Sequence, residues 1–212
     1  MNKSMLVLRW VLLLLLGSLA SCSSSASGPR LVAGPGMTLD EVKALSTVHL
    51  GTFEYPDGSG ITQPDGPHDV LFHGMGPDIK IPQGRVTVVS TVKTPRGATV
   101  ESMIMTPMMN HLSCEDALAL ADVLGDRFMV AGWTVKRRRA RADILEAMKG
   151  PDPARGATVV VLAFGHYRTL IELGRGADGA FHLGGLLGQV DDGILVTVRV
   201  HNDEFEVDRD KR

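Results

Sequence analysis

Met103, Met105, Met108 and Met109 fall within seven residues, and His111 and Cys114 follow at once. Thioether, imidazole and thiolate are the soft donors that suit Cu(I). If the stretch is extended, Met103 and Met105 lie on one face, so at least two donors can converge. A plainer reading uses the same residues. Methionine is an adaptable filler of irregular cores, and a free cysteine behaves as a small buried hydrophobe. Both readings stay open: a copper centre on these six residues, or a stretch of core leading into a helix.

A second cluster is cationic, Lys136-Arg137-Arg138-Arg139-Ala140-Arg141. Arg137, Arg138, Arg139 and Arg141 could meet lipid headgroups or an acidic protein, because clustered bases are drawn to an anionic surface. The alternative is a solvated face with no partner. Gly174-Arg175-Gly176-Ala177-Asp178-Gly179 matches G-x-G-x-x-G by letter. That fingerprint binds phosphate only where a helix follows, and here a strand-like Ala180-Phe181-His182-Leu183 follows. His68 and His73 are five apart, so on one regular strand they face opposite ways and cannot chelate together. G-x-S-x-G, H-E-x-x-H and an EF-hand loop are absent. The expected function is therefore binding rather than catalysis.

The elements around these clusters predict an α+β fold. Thr38 and Glu41 form a capping box, with Met37 and Val42 as its hydrophobic staple, so a short helix spans about 39–45. Pro56-Asp57-Gly58 and Pro64-Asp65-Gly66 are turn signals. Strands are expected at 68–72, 84–93 and 98–105, the last two joined across Thr94-Pro95-Arg96-Gly97. Ser113 caps the clearest helix, about 114–131, whose apolar stripe includes Ala117, Leu120, Ala121, Leu124 and Phe128. Gly132 fits its left-handed end, with Trp133 packing back on Phe128. A shorter helix follows at about 140–149. Segments 157–164, 167–173, 180–187 and 194–201 then read as an antiparallel meander, with Asp178-Gly179 and Asp192-Gly193 at its turns. An antiparallel sheet packed on the 114–131 helix is the expected architecture.

The address lies at the other end of the chain. Lys3 and Arg9 precede an apolar block at Val11–Leu16, and small residues follow at Gly17-Ser18 and Ala20-Ser21. These are the charged, apolar and small-residue regions of a secretory signal, and the block is too short for a membrane span. Leu19-Ala20-Ser21-Cys22 resembles the lipobox of bacterial lipoprotein precursors. That resemblance covers residues 1 to about 30. It implies cleavage of a 1–21 signal peptide and attachment of lipid, with palmitate-type acyl chains, to Cys22. Two or more acyl chains anchor a protein stably without a spanning helix. Ser23 stands where lipoproteins kept in the inner membrane typically carry Asp, so the resemblance implies the outer membrane and a domain facing the periplasm. Gly36-Met37-Thr38 with Glu41-Val42 also resembles the opening of small outer-membrane lipoproteins that assist β-barrel assembly. The second helix and Gly-x-Pro hairpin of that family do not follow Leu45.

On this reading residues 22–36 form a lipidated tether with a reach on the order of 20 Å. Residues 37–202 form one domain and 203–212 a charged tail. The leader's Lys3 and Arg9 leave 20 bases of the chain's 22 against 24 acids, a formal charge of −4 that argues against nucleic acid. Lipid on Cys22 leaves Cys114 as the only thiol, so an internal disulfide is excluded. The expected role is a lipid-anchored envelope protein without a cofactor. Its macromolecular partner would be an envelope assembly machine or a toxin that it neutralises. The alternative is a periplasmic copper-binding lipoprotein.

Overall fold

The computed structural model describes residues 28–107, 112–149, 156–175 and 194–203. In chain order they form β1 (Arg30–Ala33), α1 (Leu39–Leu45), β2 (Leu50–Glu54), β3 (Gly60–Pro64), β4 (His68–Phe72), β5 (Ile79–Thr94) and β6 (Gly97–Pro107). Then come α2 (Cys114–Val130), β7 (Thr134–Arg138), α3 (Arg141–Lys149), β8 (Ala157–Phe164), β9 (Tyr167–Arg175) and β10 (Ile194–Asn202). All ten strands belong to one sheet, ordered β1-β4-β5-β6-β10-β9-β8-β7, with the β2–β3 hairpin joined through β3 to β5. A large sheet with helices fits the expected α+β class.

β5 is the spine. Its 16 residues pair with β6 along one edge, closed by the Pro95-Arg96 loop with Thr94 opposite Gly97. Its other edge carries two strands in series: β4 against Ile79–Gly84 and β3 against Val89–Thr91. β2 and β1 lie outside β3 and β4 respectively. Between paired residues His68–Gly84 and Val70–Ile81, Asp69 alone faces Pro82 and Gln83, which makes a bulge. Proline is tolerated there because a bulge interrupts the ladder. Gln83 has φ +58°, and its N–H donates to Asp69 Oδ1 at 3.1 Å, replacing the lost ladder bond.

α2 covers the middle of the sheet, packing on β8, β9 and β10. The Ser113 hydroxyl caps it by accepting from the Asp116 amide at 3.1 Å, and Glu115 and Asp116 add negative charge where the helix dipole is positive. Ala117, Leu118, Ala121, Leu124 and Phe128 are buried along one stripe, in a single core with Met103, Met105, Ile171 and Val198. At the far end Trp133 N–H donates to the Phe128 carbonyl at 3.0 Å and Gly132 N–H to that of Met129 at 2.9 Å. With Gly132 at φ +91°, this is the expected Schellman end. It brings the Trp133 ring edge-on to Phe128, 5.2 Å between centroids. The α1 capping box also forms, with Thr38 N–H donating to Glu41 Oε2 at 2.6 Å.

Several expectations need correction. The sheet is not wholly antiparallel, because β1 runs parallel to β4. The tether does not extend to residue 36. Leu31, Val32 and Ala33 are buried, and the chain leaving α1 closes over the outer edge of β1, where Ser46 Oγ accepts from the Val32 amide at 2.9 Å. A short Leu-Val-Ala run has no periodicity to separate it from linker. Residues 60–64 are a strand between the two turn signals, with Thr62 fully buried on β5. β9 pairs directly with β10, so no strand lies between them as the meander required. The expected strand 180–187 and both of its turns fall outside the described residues, as do the leader and the tail beyond Asp203.

The bulge supplies a test. A non-glycine residue in the left-handed region costs roughly 1 kcal/mol, and glycine there removes the strain at some cost in chain entropy. Gln83→Gly is therefore expected to leave stability unchanged or raise it by up to about 1 kcal/mol. Gln83→Val should lower it. Urea midpoints of the two variants check this.

Candidate functional site

A cleft of about 750 Å³ is built from segments far apart in sequence. Pro35-Gly36-Met37 enters between the ends of β1 and α1, held where Gly36 N–H donates to the Val100 carbonyl at 2.7 Å and Val100 N–H to that of Met37 at 2.8 Å. Glu41 and Leu45 of α1, the Thr94–Arg96 turn, Tyr167 and Asn202 complete the wall. The volume suits a small molecule.

Its polar groups are mostly engaged with one another. His73 follows β4, and its Nδ1–H donates to Asp78 Oδ1 at 2.7 Å, fixing the imidazole. The hydroxyls of Thr94 and Thr99 are 2.8 Å apart, and Thr94 also donates to the Gly97 carbonyl at 3.0 Å. Arg96 reaches Glu41 at 3.4 Å. Hydrogen bonds from Thr38, backbone first and then side chain, hold the Glu41 carboxyl below its ordinary pKa, and Arg96 adds a smaller pull. An oriented His–Asp pair supplies two of the three members of a nucleophilic triad, but among the described residues neither serine nor cysteine lines the cleft. The arrangement can hold a polar ligand. Sequence reasoning missed it because no two of its polar pairs share a motif.

The soft-ligand residues divide. Met103 and Met105 share one face of β6, as expected, and that face is the core: both are fully buried, opposite Val200 and Val198 of β10. Cys114 is half-buried as the first residue of α2. Met108, Met109 and His111 lie outside the described residues. Among the described residues, no three of His, Cys, Asp and Glu gather as a metal site. The two buried thioethers thus pack within the core.

Lys136, Arg137 and Arg138 of the basic run belong to the edge strand β7, exposed along its whole length, and Arg141 opens α3. Charge at an edge discourages pairing with other chains. Arg138 contacts Asp122 of α2 at 3.1 Å, and Arg141 is bound to Glu115. Two of the four arginines proposed for headgroup or partner binding therefore tie β7 and α3 to the main helix. Arg137 and Arg139 remain exposed. Sequence could not show this, since a run of charges disfavours a strand unless an edge is available. Cys22 lies outside the described residues, and among those described no helix is long and apolar enough to cross a membrane. Gly174 and Arg175 close β9 as strand, and the rest of the glycine-rich stretch is outside the described residues.

His68, by contrast, is buried between β4 and β5. Its Nδ1–H donates to the Gly66 carbonyl at 2.8 Å, leaving Nε2 to accept from the Thr87 hydroxyl at 2.8 Å. Comparison with protein-family models, with curated proteins and with solved structures finds no match to this chain.

Burial disfavours the imidazolium of His68 and pulls its pKa below the ordinary value, more than the Gly66 bond and Asp69 push it up. The unfolded chain then binds the proton more readily, so His68 stabilises the fold fully above about pH 6.5. That contribution is lost as pH falls from there through the folded-state pKa. Urea midpoints measured from pH 7.5 down to 5 should decline for the wild type, with a shallower decline for His68→Asn.

Proposed function

We propose that this is a lipid-anchored envelope protein, held by Cys22 on the outer membrane and facing the periplasm, whose folded domain binds a macromolecular partner. The observation that carries the reading is the lipobox-like Leu19-Ala20-Ser21-Cys22 at the end of a charged and apolar leader, with folded chain beginning a few residues later. Eight residue steps separate Cys22 from Arg30, a span of at most about 28 Å even when fully extended. A lipid on Cys22 thus keeps the sheet beside the membrane surface.

Binding rather than catalysis is favoured by what the domain exposes. The α2 face of Val123, Asp126, Arg127 and Val130 borders a 500 Å³ cleft with Pro77, Ile79 and Lys80, and Val130 is 91 % exposed. Apolar side chains ringed by charges are the usual make-up of a protein-binding patch. Partners of this kind include an envelope assembly machine or a secreted toxin neutralised by the protein.

Two measurements test the reading. Cys22→Ser should move the protein from the membrane fraction to the soluble periplasmic fraction; retention in the membrane would contradict anchoring. Capture from membranes with tagged protein, with elemental analysis of the same sample, should give a stoichiometric protein partner without copper. Copper without a protein would favour the soft-metal alternative instead.

A further inference from the structure

We propose that the outer edge of the sheet at β2, with Phe53 and Tyr55, rests in the interface of the membrane that holds the anchor. The proposal rests on the lipid-anchored reading, and it adds an orientation and a second membrane contact.

Phe53 and Tyr55 are two apart, so both rings stand on one face at the end of β2. They meet edge to face, 5.0 Å between centroids, and stay 63 % and 41 % exposed. Phe53 is opposite Ile61 of β3, and the three apolar groups line a shallow cleft of about 440 Å³ with Thr52 and Pro64. The hairpin beneath is well fixed. Tyr55 N–H donates to the Ser59 carbonyl at 2.8 Å, and Asp57 Oδ1 accepts from the Ser59 amide at 2.9 Å. Among the described residues β2 pairs only with β3, so its outer backbone edge is open as well.

The place where the chain leaves the fold selects the occupant. β3 and β4 lie in series along β5, so β2 and β1 occupy the same outer rank, end to end. β1 runs away from β2. The chain ahead of Arg30 therefore leaves at the end of β1 that faces β2, through the exposed Gly28 and Pro29. Arg30 faces Asp69, at the level of Gln83 on β5, while Phe53 is level with Ser90 through Ile61. That offset of seven residues is about 23 Å along the sheet, within the roughly 28 Å that the chain from Cys22 can span. The α2 patch at Val130 borders Ile79 and Lys80, towards which β1 and β4 run, so it lies away from the tethered end.

Chemistry agrees with a lipid interface. Tyrosine and phenylalanine place rings among headgroups, and the Lys93 stem, which lies over Gly58 at the hairpin tip, presents an ammonium there. Glu54 and Asp57 are exposed on the same hairpin. The contact is therefore apolar in origin and should resist salt, unlike one driven by a basic patch.

The test uses lipidated protein extracted from bacterial membranes and returned to vesicles of zwitterionic and anionic phospholipid. Some vesicles carry bromine at shallow acyl positions. Phe53→Trp adds a reporter to a mature chain whose own Trp133 is buried in the core. Brominated lipid should cut the added emission about twofold, as expected for a ring within the headgroup and upper acyl region, with no change in 0.5 M salt. Val135→Trp, on the opposite sheet edge, should be unaffected. Unquenched emission from Phe53→Trp in vesicle-bound protein overturns the proposal while leaving the anchor intact. Cross-linking through β2 between two copies in that case would assign the edge to self-association. Protein that does not stay with vesicles and carries an unmodified Cys22 defeats the anchored reading, and this proposal falls with it.

Discussion

The backbone ladder between β5 and β6 decides where every other element can lie. β5 is long enough to pair with β6 on one side and with β4 and β3 in turn on the other. Each further strand is positioned from this pair: β1 and β2 outside β4 and β3, and β10, β9, β8 and β7 beyond β6. The bulge at Pro82-Gln83 takes up the mismatch where β4 meets β5, and Asp69 holds it by binding both the Gln83 amide and, at 2.8 Å, Lys80. Lys80 in turn, with the Gln83 amide, keeps the Asp69 carboxyl below its ordinary pKa. Burial of the α2 stripe against Met103, Met105, Ile171 and Val198 then fastens the helical layer to the sheet. Each of these side chains is worth on the order of 2 kcal/mol when removed from water.

Much of this was legible where local chemistry alone determines structure. The capping residues Thr38, Glu41 and Ser113, the Gly132–Trp133 helix end and the Thr94–Gly97 hairpin each act within a few residues, and each forms as the sequence implies. What could not be read depends on distant partners. Leu31–Ala33 becomes a strand only because β4 lies beside it, and Lys136–Arg138 only because β8 offers an edge. The direct β9–β10 pairing likewise depends on matching alternation between strands, which no turn signal reveals. The cleft at His73 is the extreme case, assembled from segments that share no pattern. The methionine run illustrates the converse. Its same-face spacing was right, but spacing cannot say whether a face looks on a ligand or on valines.

The sheet has two ends of different character. Its β7 edge is charged and partly tied down, with Arg138 on Asp122 and Arg141 on Glu115. Exposed ion pairs of this kind contribute little stability, so they serve mainly to fix position. Its β2 edge is aromatic and, among the described residues, open, and it lies beyond the end of β1 from which the chain leads back towards Cys22. In the proposed arrangement the membrane lies at the aromatic edge. The Val123–Val130 face of α2, on a different element and bordering Ile79 and Lys80 at the other end of β5, then remains available to a partner. Anchoring and partner binding would use separate surfaces and need not compete.

This arrangement depends on the fate of Cys22, and the mass of the intact mature protein tests that most directly. Protein extracted from membranes should begin at Cys22 and carry the added mass of a diacylglyceryl group and an amide-linked acyl chain. A chain retaining residues upstream of Cys22, or beginning there with an unmodified cysteine, would contradict the account.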